Sequence, residues 1–151
     1  MFEKYEIHNQ DLMKELNKEL DDIKGKISSL RKRGIDTKIV EYKIMNIPSK
    51  IKMASITNKK RDVNYIKSIF ERVLVDIDVL ERHYMAEQKK LVYMQELLNK
   101  GMLFLQNKQF RECLPLYYEI RNFYRDLSIE SKYKVLDKCV KFYMDFQSLV
   151  K

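Results

Sequence analysis

The sequence predicts an all-α fold, on three observations. The 151 residues include only three glycines and two prolines, too few to supply the turns of an all-β chain. Residue types of high helix propensity, chiefly Lys, Glu, Leu and Met, are common throughout. Apolar residues also recur at alternating spacings of four and three, the period of an amphipathic helix. We therefore expect one helical domain spanning residues 1–151, built from about five helices.

The first helix is expected from Gln10 to Arg33. Its apolar positions form a heptad seam: Leu16, Leu20, Ile23, Ile27 and Leu30. The basic residues at its end suit the negative pole of the helix dipole. Gly34 then supplies the left-handed position that commonly follows a helix.

The second helix is expected to begin at Asp36, a plausible N-cap. Its seam continues the same spacing: Val40, Ile44, Ile47, Ile51 and Ala54. Pro48 lies within this seam, so a kink or break is predicted near Met45. A short loop joins the two helices, which predicts an antiparallel hairpin over residues 10–57. Since the second helix can cover the seam of the first, a homodimer is left open but is not required.

A long helix is expected over residues 62–100, with Asp62 as its cap after the polar segment Asn58–Asp62. Two alternatives stay open: one continuous helix, or two helices that bend without a marker near Ala86–Glu87. The continuous helix is favoured because neither glycine nor proline interrupts the pattern before Gly101.

The last subregion, residues 101–151, contains two further helices. One is expected from Phe110 to Leu127, and Ser128 is expected to cap the other. The apolar stripe assigned to this final helix is Leu136, Val140, Tyr143, Phe146 with Gln147, and Val150.

The segment around the turn at residues 106–109 has the pattern Leu97-x-x-x-Gly101-x-x-Phe104, then Phe110-x-x-Cys113-x-x-x-Tyr117-x-x-Ile120. It resembles one tetratricopeptide repeat over about residues 97–127. In that family, two small residues let the helices of a hairpin approach closely, and large residues fill the space around them. The resemblance implies that Gly101 and Cys113 are the small positions. No second copy occurs at a 34-residue period, so we expect a single repeat-like hairpin with a packing helix rather than a repeat array.

Aromatic residues are dense in the C-terminal helices, with eight between positions 117 and 146. Core filling is one interpretation, since aromatics at helical spacing usually pack inside. Two short helices cannot hide eight aromatics on one face, however, and tyrosine is enriched at interfaces. We therefore expect part of this surface to face a protein partner, with Tyr118, Tyr124 and Tyr133 as candidates.

Positive charge is concentrated in the first hairpin. The net charge is +8, and the segment Ile23–Arg61 alone carries twelve basic and two acidic residues. Two clusters stand out as candidates for contact with an anion or nucleic acid: Arg31, Lys32, Arg33 and Lys59, Lys60, Arg61. A solvated face is the alternative interpretation. An antiparallel hairpin would put the two clusters at opposite ends.

Several classes of protein lack support in the sequence. No phosphate-binding loop, nucleophile elbow or HExxH motif occurs, and Cys113 and Cys139 lack the spacing of a zinc site. His8 and His83 have no partner at metal-binding spacing, so no catalytic residue, metal or cofactor is expected. No segment suggests membrane insertion or a signal peptide. The expected function is a non-enzymatic cytoplasmic scaffold or adaptor; the alternative is a basic protein associated with nucleic acid or the ribosome.

Overall fold

The computed structural model describes the backbone of residues 2–150 and the side chains of residues 9–150. Over this range the chain forms helices and no strand: α1 (Phe2–Lys32), α2 (Lys38–Ile44), α3 (Ile47–Thr57), α4 (Lys60–Gln106), α5 (Phe110–Asp126) and α6 (Ile129–Val150). Counting α2 and α3 as one interrupted helix gives the five that the sequence predicts. The all-α fold class is confirmed.

The described residues group into two compact units, one up to Arg82 and one from His83 onward. We call them the N-terminal unit and the C-terminal unit, and α4 contributes residues to both. The expectation of one domain stays a prediction.

The heptad seam of α1 forms one wall of the core of the N-terminal unit. Its five residues are only 0–3% exposed. They pack with buried residues of α2, α3 and the first part of α4, among them Val40, Ile51 and Phe70. The Asn9 amide, near the start of α1, donates to the Ser55 carbonyl near the end of α3 (3.3 Å). The predicted antiparallel hairpin is therefore confirmed.

The end of α1 follows the predicted glycine motif. Gly34 adopts a left-handed backbone (φ 84°). Its N–H donates to the Arg31 carbonyl (2.9 Å), while the Ile35 N–H donates to the Leu30 carbonyl (3.1 Å). This pair of bonds is the Schellman motif, and it satisfies carbonyls that the helix end would otherwise leave unpaired.

Two predicted N-caps are displaced from their expected positions. The residue before α2 is Thr37, not Asp36, although an Asp36 carboxylate oxygen accepts from the Lys38 N–H (3.1 Å). Asp62 lies inside the first turn of α4, which begins at Lys60, and its carboxylate accepts from the Thr57 hydroxyl (2.7 Å). Both predictions were wrong because several cap-forming residue types stand close together at each loop.

The predicted interruption of the second helix is confirmed. α2 ends at Ile44, and α3 begins at Ile47 with Pro48 in its first turn. Proline is accepted there because the first N–H groups of a helix have no intrahelical acceptor. The seam residues on both sides of the break, Ile44 and Ile47, remain buried.

The long central helix is also confirmed, and it is longer than predicted. α4 runs without interruption from Lys60 to Gln106, through Ala86 and through Gly101. The boundary that the sequence suggested at residue 100 is therefore not a helix end. The helix stops instead at a second Schellman motif, in which Lys108 takes the left-handed position (φ 55°) and the Gln109 N–H donates to the Phe104 carbonyl (2.9 Å).

In the C-terminal unit, the last part of α4 packs with α5 and α6 around a second core. Its buried residues are Leu91, Met94, Leu97, Leu98, Leu105, Cys113, Leu116, Ile120, Leu127, Val135, Phe142 and Phe146. The predicted cap of α6 is confirmed, since the Ser128 hydroxyl accepts from the Ser131 N–H (3.2 Å).

Candidate interaction surface

Helix α6 has two apolar faces. The inner face packs in the core of the C-terminal unit through Val135, Cys139, Phe142, Phe146 and Leu149. The second face lies beside the inner face and is defined by seven positions at spacings of four and three: Ile129, Tyr133, Leu136, Val140, Tyr143, Gln147 and Val150. We call this second face the outer stripe.

The outer stripe corrects the sequence prediction for α6. The stripe assigned from the sequence included Leu136, Val140, Tyr143 and Val150, and all four side chains are exposed in the structure. Of the residues assigned, Phe146 is the one that is buried. Both faces have the spacing of an amphipathic helix, so periodicity alone could not distinguish them. The prediction missed the other apolar stripe of α6, the inner face that contains Val135 and Phe142.

The outer stripe is a large apolar surface for a small unit. Tyr133 and Ile129 are 74% and 72% exposed, and Val140, at its middle, is 46% exposed. With about 150–250 Å² on each fully exposed aromatic side chain and less on each aliphatic one, the stripe exposes roughly 600 Å². That is the upper end of the range for the largest apolar patch on a typical monomer, about 300–600 Å². Patches of this size commonly mark interaction sites.

A stack of aromatic rings supports this surface from beneath. The ring of Tyr117 on α5 stacks on Phe146 of α6, with centroids 4.6 Å apart and planes 7° apart. Phe110 stacks on the same Phe146 ring (5.6 Å), and Tyr143 of the outer stripe lies 6.0 Å from Tyr117. Such stacked pairs stabilise beyond the area that they bury. They fix α6 against α5, so the outer stripe rests on a packed base.

Between α5 and α6 lies a narrow groove with a volume of about 200 Å³. It is lined by Tyr117, Ile120, Arg121, Tyr124, Cys139, Phe142 and Tyr143. Sites for small molecules usually have volumes of about 300–1,000 Å³. This groove is smaller, and it suits an inserted side chain better than a whole substrate.

The three tyrosines predicted to face a partner lie in different environments. Tyr118 and Tyr133 are exposed, by 53% and 74%. Tyr124 is half-buried, and the Lys132 ammonium lies 5.7 Å from the centre of its ring. Tyr133 belongs to the outer stripe, and Tyr118 is on α5, with its ring centroid 5.5 Å from that of Tyr117.

The residues of the repeat-like hairpin mostly lie in the core of the C-terminal unit. Leu97, Gly101, Cys113 and Ile120 are buried, Phe104 and Tyr117 are partly buried, and Phe110 is exposed at the edge of the aromatic stack.

Gly101 sits at a close helix contact, as the sequence predicts, but with a different neighbour. A Cβ placed there would lie 2.5 Å from Phe142 Cε2 on α6 and 3.3 Å from Leu116 Cδ2 on α5. The expected counterpart, Cys113, is not among these nearest groups. Gly101 therefore makes room for Phe142 of α6 as well as for α5.

The basic clusters lie at opposite ends of the first hairpin, as predicted, because the start of α1 meets the end of α3. Arg31 is ion-paired with Glu41, and Arg33 with Glu81 (2.7 Å). Lys32, Lys59, Lys60 and Arg61 are exposed. A role in binding anions stays a prediction for both clusters.

The positive charge of the segment Ile23–Arg61 is offset elsewhere in its own unit. By sequence, residues 1–82 carry 18 basic and 14 acidic side chains, a net +4. Residues 83–151 carry 12 and 8, also +4. The folded N-terminal unit is thus no more positive than the C-terminal unit.

Two cavities of about 670 and 480 Å³ are in the N-terminal unit. The carboxylates that line them are ion-paired: Glu41 with Arg31, Asp78 with Arg82 and Glu81 with Arg33. Each of these carboxylates thus already has an arginine partner.

Metal and thiol chemistry also find little support in the described side chains. Residues 9–150 contain no cluster of three or more His, Cys, Asp or Glu that could hold a metal ion. Cys113 and Cys139 are free thiols whose pKa is raised by burial, which disfavours the reactive thiolate. His83 is exposed, and the side chain of His8 lies outside the described residues.

Across residues 2–150, every helix is too short or too polar to span a lipid bilayer.

Comparisons with protein-family models, curated protein sequences and solved structures give no match to this chain.

Proposed function

We propose that this protein is a non-enzymatic interaction module, a scaffold or adaptor that presents helical surfaces to a protein partner. The observation that carries the proposal is the outer stripe of α6, an exposed heptad pattern beside the face of the same helix that is already packed. A reducing cytoplasm is proposed as its location, because both cysteines are free thiols and structural disulfides are typical of oxidising compartments.

The chemistry of the stripe favours a protein as the ligand. All but one of its positions are exposed tyrosine or aliphatic side chains, a composition typical of the centre of protein interfaces. The adjoining groove of about 200 Å³ can take a side chain of the partner. Tyr118 on α5 widens the surface with a further exposed ring that can donate a hydrogen bond.

The resemblance to a tetratricopeptide repeat supports the same proposal. In helical repeat arrays each unit buries its apolar face against the next, and the terminal unit carries a polar outer face that keeps the array soluble. Here α6 exposes an apolar face. On this interpretation, a partner covers that face as a neighbouring unit would in an array.

The test is capture from a lysate of the native cell with the full chain as bait. Tyr133→Glu puts a charge at the most exposed position of the proposed surface, and Tyr42→Glu is a matched control, since Tyr42 is also 74% exposed but belongs to the N-terminal unit. We expect Tyr133→Glu to lose at least one protein that the wild type and Tyr42→Glu both retain. An identical set of captured proteins for all three baits would contradict the proposal.

A second candidate is binding of nucleic acid through the basic clusters. The observation that favours it is the exposed set Lys59, Lys60 and Arg61 at one end of the hairpin. Phosphate contacts make affinity fall steeply between about 50 and 200 mM salt. Binding to heparin or RNA that collapses over this range and is lost in a variant with all three residues changed to Gln would support it. Absence of binding at low salt would remove it.

A further inference from the structure

We propose that the occupant of the outer stripe is a second copy of this chain, with the two α6 helices paired in parallel. This inference rests on the proposed function, since it takes the stripe to be an interaction surface and adds the identity of the partner. Three properties of the described residues carry it: the residue types at the stripe positions, the charges beside the stripe, and the area.

The middle of the stripe has the residue types of a two-stranded parallel coiled coil. In heptad notation, its a positions are Tyr133, Val140 and Gln147, and its d positions are Ile129, Leu136, Tyr143 and Val150. A β-branched residue at a, such as Val140, next to leucine at d, such as Leu136, favours two strands. A single polar residue at a fixes the register of the pair. Gln147 has that place here, and its amide already donates to the Tyr143 hydroxyl (2.6 Å).

The charges beside the stripe select the parallel orientation. Lys132 is at a g position, and Glu130 and Asp137 are at e positions. In a parallel pair, each g residue faces the e residue five positions further along the other helix, so Lys132 faces the partner's Asp137, and this contact occurs twice. An antiparallel pair places e beside e, which brings the acidic residues of the two copies together. The charged residues beside the stripe are therefore complementary between two copies in the parallel orientation and not in the antiparallel one.

The exposed area of the outer stripe fits a weak dimer. Complete covering of the roughly 600 Å² that each copy exposes would bury at most about 1,200 Å² in total, at the lower limit for specific interfaces. Transient complexes lie at this end of the range. We therefore expect dissociation in the micromolar range or weaker, so that the monomer and the dimer coexist at accessible concentrations.

The inner face of α6 leaves the stripe free to pair. Cys139 and Phe146, two of the g positions, pack against the core of the C-terminal unit. The outer stripe lies beside them, so a second helix can contact the stripe without displacing the core. Pairing needs no unfolding of α6, and the helix is already ordered by its own unit.

The closing experiment is sedimentation equilibrium of the full chain over a wide concentration range. We expect a monomer–dimer equilibrium in the wild type. Val140→Glu, at the middle of the stripe, should weaken the dimer at least tenfold. Val92→Glu is the matched control, because Val92 is an exposed valine on α4 in the same unit and should leave the dimer unchanged. Circular dichroism of each variant establishes that the helices remain folded.

Charge reversal tests the orientation. Lys132→Glu and Asp137→Lys each place like charges together in the parallel pair, and each should weaken the dimer. The double variant should restore it, and a mixture of the two single variants should form heterodimers. A monomer at all concentrations, or a dimer that Val140→Glu leaves intact, would overturn the inference. Such a result would leave the proposed function standing if lysate capture still depended on Tyr133, because the partner would then be another protein.

Discussion

At Gly101, the absence of one side chain decides how three helices pack. Phe142 fills the space beside this glycine, and its ring is 1% exposed and lies next to the rings of Tyr117 and Phe146. The ring therefore cannot move aside at low cost. The sequence predicts the close approach from the glycine, but Phe142 is 41 positions away, and no local pattern relates the two residues.

Gly101→Leu should lower the free energy of unfolding by up to about 2 kcal/mol, because an overpacking cost of about 1–3 kcal/mol outweighs a gain of about 1 kcal/mol in helix propensity. Gly25→Leu is the matched control, since a Cβ at Gly25, in α1, meets no atom within 4 Å. That substitution should stabilise the protein by about 0.5–1 kcal/mol. Chemical denaturation distinguishes the two signs. A higher midpoint for Gly101→Leu would mean that the contact with Phe142 is not as described.

Glu87 on α4 holds the start of α6 within the C-terminal unit. Its carboxylate accepts from the Ser131 hydroxyl (2.8 Å) and from the Ser128 N–H (3.4 Å). Burial raises the pKa of this carboxyl, but hydrogen bonds from Ser131, Lys90 and Ser128 together outweigh burial and hold the pKa below its ordinary value of 4.5. A depressed pKa in the folded state stabilises the fold above pH 4.5, and this contribution is lost as the pH falls through the folded value.

Glu87→Gln should therefore lower the free energy of unfolding at pH 7 by about 1 kcal/mol, because the amide can still accept a hydrogen bond but a neutral hydrogen bond is weaker than a charged one by about that amount. The difference from the wild type should shrink as the pH falls below 4.5. Glu96→Gln, at an exposed position of the same helix, serves as the control and should change little. Denaturation midpoints measured from pH 3 to pH 7 test this. A Glu87→Gln effect that does not change with pH would show that the charge plays no part.

At the level of elements, three ends and breaks of helices were predictable, whereas the N-caps of α2 and α4 were not. Gly34 and Ser128 act locally, and each was placed correctly because its motif needs only a few adjacent residues. Pro48 likewise marks the start of α3. The end of α4 was less evident, because Lys108 takes a left-handed conformation that asparagine or glycine would ordinarily signal.

The orientation of α6 was not predictable from its own sequence. Two stripes satisfy the same periodicity, so the choice of the buried face depends on what α4 and α5 offer to it. The structure buries the stripe that contains Phe142, which fits the space beside Gly101. That choice exposes the tyrosine-rich stripe and creates the candidate surface.

A pair of valines on α6 tests which face is buried. Val135 is 1% exposed and Val140 is 46% exposed. Val135→Ala should cost about 1–3 kcal/mol of stability, because it leaves a cavity in the core. Val140→Ala should stay within about 0.5 kcal/mol in a dilute, monomeric sample. The reverse order in urea denaturation would mean that α6 is rotated from the described orientation.

For the whole molecule, the all-α class, the antiparallel first hairpin and the continuous central helix were predictable, because periodicity and propensity agree along most of the chain. Surface charge was less predictable. The segment Ile23–Arg61 appears strongly basic in sequence, yet the acidic residues of α1 and α4 share its unit and reduce the net charge there to +4. Ion pairs such as Lys43–Asp76 (2.5 Å) join residues that are 33 positions apart.

The central claim is that a protein covers the outer stripe of α6. The most direct measurement is site-specific photocrosslinking in the native cell, with a photoreactive phenylalanine derivative in place of Tyr133 and, in a parallel sample, of Tyr42. We expect a discrete adduct from position 133 and none from position 42, although both side chains are 74% exposed. An adduct at twice the chain mass of 18.4 kDa would identify the second copy. An adduct of any other mass would identify a different protein. No adduct at position 133, or the same adducts at both positions, would contradict the claim.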